Sequence, residues 1–273
     1  MVARATGAVT IRAMSDTRAW DRAGSLIVPV NGQARPEVAA LPDGYPTVSD
    51  LFTFMRDAEL RFGTLRMRIE EHAWTARGEE ISVADLVLRH PGQVKVLTSY
   101  PAGGTAGGYE VWASDGATVR TYVSARTLGT KRPARPVVRG TDGRDLPGSS
   151  RVYLPVTALQ AESLPELFIH PAGYCQNVLG TGTCRVTGTT AVAGREAIIL
   201  ECDHPRTIEI AADRPDFSVR ISVDRLDGVI LRIEESIGGR ITRDAFVTAY
   251  APDAPLPPSA LEFAFPGDTV FLY

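Results

Sequence analysis

The residues of this chain suited to metal or nucleophilic chemistry are His170, Cys175, Cys184, Cys202 and His204. On a strand, alternate side chains share a face, so Cys202 and His204 would point the same way. No paired CxxC or HxxxH spacing accompanies them, and the usual zinc frameworks need such pairs, so no metal site is predicted. A Cys–His nucleophilic pair would lack a residue to orient the histidine. No GxSxG elbow supports a serine hydrolase. The glycine-rich run at 103–108 (GGTAGG) does not lead into a helix, which excludes a phosphate-binding turn and leaves a loop. Glu70–Glu71 and Glu234–Glu235 fall on alternating strands, where neighbouring carboxylates face opposite sides. They are expected to be solvated faces rather than an acid/base dyad. The sequence predicts no catalytic residue and no cofactor.

The cysteines can instead staple. Cys175 and Cys184 flank a loop containing Gly180 and Gly182. In an exported protein they form the favoured bridge, with Cys184–Cys202 across a hairpin as the alternative. A bridge closing so short a loop adds about 2–3 kcal/mol. In a reducing compartment all three are expected to be buried thiols.

These residues must be held by a mostly β scaffold. Val83, Leu86 and Leu88 lead into Arg89–His90–Pro91–Gly92, and Val94, Val96 and Thr98 follow: strand, tight turn, strand. After the glycine-rich loop, Asp115–Gly116 separates two further β-rich runs, a strong hairpin signal. Four successive strands joined locally make an antiparallel meander. Before it, residues 48–62 carry Val48, Leu51, Phe52, Met55, Ala58 and Phe62 at helical spacing. Thr47 or Ser49 can cap that helix, Asp50 suits its first turn and Gly63 is its expected stop. From Leu65 the period changes to two, with Leu65, Met67 and Ile69 on one face. Residues 126–150, including KRPARP, read as a long solvated loop. Residues 159–170 read as a short helix capped by Ser163, with Pro165 in its first turn and Leu164, Leu167 and Phe168 on its apolar side; Pro171–Gly173 is expected to stop it. Strands return from 184 to 204 around an Ala193–Gly194 turn. Further strands run from 217, where Asp227–Gly228 and Gly238–Gly239 supply turns. The apolar end, 261–273, can pair as a last short strand. No internal repeat is present.

The chain is thus predicted to be mainly β (α+β): a curved antiparallel sheet of nine to twelve strands with two helices. So large a sheet must curl, and two short helices cannot cover its inner face, so an apolar cavity is the physical expectation beside a simply filled core. Residues 1–46 lack a sustained period and read as a flexible extension ahead of one domain at 47–273. The net charge of −3 gives no case for nucleic acid, and of 29 basic residues only Lys95 and Lys131 are lysine. No apolar run reaches the roughly 20 residues of a membrane-spanning helix. Ser25–Val30 (SLIVPV) is too short for a signal-peptide core, so no export signal is visible in the chain.

Residues 85–91 (DLVLRHP) and 114–122 (SDGATVRTY), the helix-to-sheet order, and the late pair SVRISVDRLDGVILRIEE before a Phe–Pro–Gly end together resemble the LolA-type carriers of outer-membrane lipoproteins. The RseB/MucB-type regulators of envelope stress share that half-barrel. The resemblance covers about residues 47–273. It implies an unclosed barrel, helices on its concave face, acyl chains of a lipid or lipoprotein as ligand, and an extracytoplasmic location. In that family an arginine directly before the strand-end proline helps hold the lid shut. Here that position is His90, and Arg89 faces the other side of the sheet.

On this reading the chain is a monomeric, non-enzymatic binding protein. Its ligand is expected to meet Leu51, Phe52, Met55 and Phe62 of the first helix, Leu86, Leu88, Val94, Val96 and Trp112 of the sheet, and Leu167 and Phe168 of the lid, with His90 and Arg89 as gating positions. The alternatives are a regulatory module that binds a segment of a membrane-tethered protein, and a hydrolase with an apolar pocket.

Overall fold

A computed structural model describes residues 38, 40–102, 107–134, 157–206 and 214–272. The expectations for residues 1–37 and for 135–150 of the long loop lie outside the described residues; the start of that loop is not solvated loop but strand, since Leu128–Pro133 pairs in register with Thr118–Val123 at the edge of the meander. One sheet carries the chain: β1 (Thr64–Thr75), β2 (Gly78–Arg89), β3 (Gln93–Ala102), β4 (Tyr109–Asp115), β5 (Thr118–Val123), β6 (Leu128–Pro133), β7 (Thr183–Val192), β8 (Arg195–Asp203), β9 (Phe217–Asp224), β10 (Ile230–Ile237), β11 (Arg240–Pro252) and β12 (Val270–Phe271). The order across the sheet is β12-β6-β5-β4-β3-β2-β1-β11-β10-β9-β8-β7. Every pairing is antiparallel except β12 on β6. The two terminal strands, β12 and β7, do not pair with each other, so the sheet is not closed into a barrel. The meander is as the turns predict, with Leu86 opposite Val96 and Val96 opposite Trp112.

Period-two alternation sets the inner face. Leu65, Met67, Ile69, Leu86, Leu88, Val94, Leu200, Ile221 and Ile233 all lie in one buried cluster with the helices. Bulges in β1–β11 at Arg68/Ile69 and in β9–β10 at Ile230/Arg232 break the alternation locally. The second lets Val229, Ile230 and Leu231 all be fully buried, where strict alternation would have placed Ile230 with the outward Arg232 and Glu234.

Helix α1 (Val48–Arg56) starts at Thr47 with a capping box, the hydroxyl accepting from the Asp50 N–H and the Asp50 carboxylate accepting from the Thr47 N–H. It ends earlier than Gly63. The chain tightens into a 3-10 turn at Ala58–Arg61, and the Arg61 guanidinium donates to the Phe54 carbonyl at 2.8 Å, satisfying a group the continued helix would have used. The second helix stops just before Pro171, as expected, but another begins directly after it. α2 (Leu164–Ile169) is followed by α3 (Ala172–Asn177), whose first turn Pro171 precedes, a position where its missing N–H costs nothing. Among the described residues three short α-helices, not two, cover the inner face. Upstream of the expected boundary, Leu41 packs on the core and Arg225 donates to the Gly44 carbonyl at 3.1 Å.

The C-terminal segment lies on the outer face. Phe263 and Phe265 pack on Val111, Ala113 and Tyr122, and Lys95 Nζ donates to the Glu262 carbonyl. Gly129 is required there: a Cβ would stand 2.5 Å from Thr269 Cγ2 and 2.8 Å from the Phe265 ring. Among the described residues no helix is long and apolar enough to cross a membrane.

Candidate functional site

Beneath the helices the inner face is filled. Leu51, Met55, Phe62, Leu88, Val94 and Phe168 are fully inaccessible, and Leu86 is nearly so. Phe52 and Leu167 are half-buried at the margin of that cluster. These nine of the expected ligand-lining residues therefore touch one another or the sheet rather than an open cavity. The third helix adds Cys175 to that cluster, with Tyr174 packed against it. Val96 and Trp112 are placed differently.

Those two line a groove at the edge of the lid. One part, of about 180 Å³, is bounded by Val96, Val111, Trp112, Val123 and Pro165. The other, of about 320 Å³, reaches Glu71, Glu80, Ala84, Tyr100 and Leu164. Thr98, Glu110, Gln160, Ser163 and Pro165 border both, so the two adjoin. Small-molecule sites commonly hold about 300–1,000 Å³, and the two adjoining parts together fall at the lower end of that range.

The polar end of the groove was not foreseen. Alternation from Val96 puts Thr98 and Tyr100 on the inner face, and alternation from Trp112 puts Glu110 there, so this end was readable in principle. Burial, then the nearby Glu110 carboxylate, pushes the Tyr100 phenol up to about 12, which keeps it a donor. Glu71 and Glu235 correct the expectation of fully solvated acidic pairs. One member of each pair turns inward, and Arg243 bridges them at 2.7 and 3.1 Å. Ser82 Oγ donates to Glu71 as well.

The opposite end of the half-barrel is sealed. Arg195 donates to both oxygens of the fully buried Asp224 at 2.7 and 2.8 Å and to Asp227 at 2.6 Å. Tyr250 Oη donates to Asp227, and Arg61 donates to the Asp227 carbonyl. Asp224 holds the Arg195 guanidinium firmly protonated, while burial and then Asp227 raise the Tyr250 phenol well above its ordinary value.

The lid, residues 157–181, is attached at few polar points. At its start, Thr157 Oγ1 and His90 Nδ1 share a hydrogen bond, and the His90 ring stacks on Phe62 at 5.5 Å. Trp112 Nε1 donates to the Ala158 carbonyl at 2.8 Å. In its middle, His170 Nε2 lies 2.7 Å from Glu59 with both side chains buried. Arg89, the other expected gating residue, lines a separate surface hollow with Gln93 and Arg120.

The favoured Cys175–Cys184 bridge is not formed: all three cysteines are thiols. Cys175 lies in α3 with its Sγ 3.7 Å from Met55 Sδ, directed at α1 rather than at β7. The pair brought together by the sheet is Cys184 and Cys202. Among the described residues no cluster of three His, Cys, Asp or Glu is arranged to hold a metal.

No family model matches the chain, and a search of curated proteins finds no match. Among solved structures the chain is similar to MucB, at 14% identity and a TM-score of 0.46, with 80% of this chain and 62% of MucB covered. It is likewise similar to the Pseudomonas aeruginosa MucA/MucB complex, at 14% identity and a TM-score of 0.45, covering 80% of this chain and 61% of that one. A third is the Mycobacterium tuberculosis lipoprotein LppX, at 10% identity and a TM-score of 0.39, covering 77% and 98%. The chain thus spans less than two thirds of the MucB chain. These are likenesses of fold.

Proposed function

We propose that this chain is a non-enzymatic carrier that holds an acylated ligand, a lipid or the acyl chains of a lipoprotein, on the inner face of its half-barrel. The observation that carries this reading is the cover of that face. A wide apolar surface is screened by three helices of six to nine residues, the lid fastened at a few points. Helices this short have little stability of their own and depend on their packing. Acyl chains offer the same apolar contact, so ligand can replace the lid on the sheet. The groove along Val96, Trp112 and Leu164 is where a chain first enters. The structure is then the closed, ligand-free form, and the expected site residues Leu51, Phe52, Met55, Phe62, Leu86, Leu88, Val94, Leu167 and Phe168 meet ligand only when the lid moves. His90 acts as a lid fastener through Thr157. The location that fits is extracytoplasmic, with the protein monomeric.

A second reading has one observation in its favour. β7 is the last strand of the sheet, ten residues long, and its outer edge meets no other strand among the described residues. A segment of a membrane-tethered protein can add there as a further strand.

Native mass spectrometry of the purified protein, followed by organic extraction, separates the two. Acyl-containing adducts that disappear in Trp112→Ala and Val96→Glu, with both variants still folded, are expected. A clean mass that takes up no added lysolipid sinks the carrier reading and leaves the edge-strand one.

A further inference from the structure

The lid has a second anchorage, and it is made of thiols. α3 runs into a 3-10 turn at Leu179–Thr181, and the fully buried Leu179 presents its carbonyl to the sheet. Cys184 Sγ donates to that oxygen at 3.1 Å and Cys202 Sγ at 3.3 Å. The two cysteines are direct partners across β7 and β8. Residues directly opposite on antiparallel strands have Cβ atoms about 4.5–5.5 Å apart, and a disulfide needs about 3.5–4.5 Å. Closing the bond therefore asks for a small movement, and β7 can give because it is the edge strand. Gly182 keeps the sulfur clear, since a Cβ at that position would stand 2.7 Å from Cys202 Sγ.

The surroundings assign an order of attack. Cys184 is partly buried at the margin of the core and so the more accessible of the two, whereas Cys202 is fully buried. The Cys202 S–H can turn from the Leu179 carbonyl to the Cys184 sulfur, which lowers the Cys184 thiol and raises Cys202. Burial raises Cys175 too, and it faces away toward Met55. Cys184 is thus the accessible nucleophile and Cys202 the resolving group.

We propose that Cys184 and Cys202 are a dithiol–disulfide switch that fastens the end of the lid when reduced and releases it when oxidised. The oxidant is a disulfide, either oxidised glutathione or the active-site disulfide of an oxidoreductase. The Cys184 thiolate attacks one sulfur of that disulfide; its S–S bond breaks and one thiolate leaves. Cys202, losing its proton, then attacks Cys184 Sγ and expels the second thiolate. The protein loses two hydrogens and the reagent gains them as two thiols. The new disulfide has no S–H, so the Leu179 carbonyl loses both thiol donors and keeps only the Gly182 N–H. The disulfide itself does not depend on the acyl-carrier reading.

Treatment of the whole protein with oxidised glutathione, followed by alkylation and peptide mapping, tests the switch. The expected product is a Cys184–Cys202 disulfide, with Cys175 alkylated after unfolding. Cys202→Ser should stop at a glutathione adduct on Cys184, and Cys184→Ser should not react. Hydrogen exchange of residues 172–181 should quicken roughly fivefold on oxidation, the effect of losing about one ordinary hydrogen bond, and should not respond to oxidised glutathione in the unreactive Cys184→Ser. A Cys175–Cys184 link, or adducts without the intramolecular bond in the unmutated protein, overturns the pairing. A clean Cys184–Cys202 disulfide with unaltered exchange in 172–181 overturns the release of the lid.

Discussion

The two halves of the sheet solve the same problem in different ways. Strands β8 to β11 and β1 bury most of their inner face beneath the helices, and Ile198, Leu200, Ile221, Ile233 and Ala245 are inaccessible. Strands β3 to β5 leave theirs partly open as a groove, and β4 and β5 bury outer-face residues instead, under Phe263 and Phe265. A strand needs one covered face to stay in a sheet. The C-terminal strap therefore lets the inner surface near Trp112 remain unfilled without loss of the strands that carry it. The ends differ in the same sense, sealed at Arg195 and polar but open at Glu71.

The largest contrast should appear on truncating buried groups. Phe168→Ala empties space in the covered half and is expected to cost about 3–5 kcal/mol, read as a drop in the urea midpoint. If the lid is displaceable, the same variant should bind an acyl fluorophore more tightly. Loss of stability without gain of binding would show that the lid is a fixed part of the core. Asp224→Ala, at the sealed end, leaves Arg195 without its main partner and two turn N–H groups without an acceptor, again about 3–5 kcal/mol. Glu71→Ala at the open end removes a part-exposed partner of Arg243 and should cost about 1 kcal/mol or less. Equal losses in the two variants would erase the distinction between the ends.

Smaller effects probe the outer strap and the groove. Gly129→Val forces a side chain against Phe265 and Thr269 and is expected to cost about 1–3 kcal/mol. Limited proteolysis should then cut within 253–272 while β7 to β11 stay protected. Trp112→Ala gives up the Ala158 hydrogen bond and part-exposed contacts, about 1–2 kcal/mol, yet should abolish ligand uptake. A Trp112 variant that binds normally would move the site away from the groove.

Local signals made most of this architecture readable. The Pro91–Gly92 and Asp115–Gly116 turns and the period-two runs fix the meander, and Thr47 with Asp50 fixes where α1 begins. What lay beyond reach depends on contacts distant in sequence. Arg61 ends α1 early by reaching Phe54 and the Asp227 loop, and nothing in residues 48–62 announces that partner. The same holds for the strap, whose aromatic residues show that they will be covered but not by which face. For the site, alternation placed Val96 and Trp112 correctly on the inner face. It could not say which inner residues the helices would reach, because that depends on a third helix starting where Pro171 suggested a stop. Which two cysteines face each other was similarly decided by register, Cys184 opposite Cys202, and not by loop length.

The smallest expected effect is electrostatic and lies on the outer face of the open end. There His72 sits between Glu79 and Glu70, each at 2.8 Å, with its ring stacked on Phe246. Hydrogen bonds to Glu79 first and Glu70 second raise its pKa above the ordinary 6.5. The folded state therefore binds this proton more tightly than the unfolded chain. The resulting stability is fully present below about pH 6.5 and is lost as the pH rises through the raised folded value. Because the ring is largely solvated, the contribution should be only a few tenths of a kcal/mol. Urea midpoints measured from about pH 5.5 to 8.5 should fall slightly more in the native protein than in His72→Gln. A difference of the opposite sign would mean that the two carboxylates do not hold the imidazolium, and that the outer face at this end is kept together by the Trp74 and Phe246 rings alone.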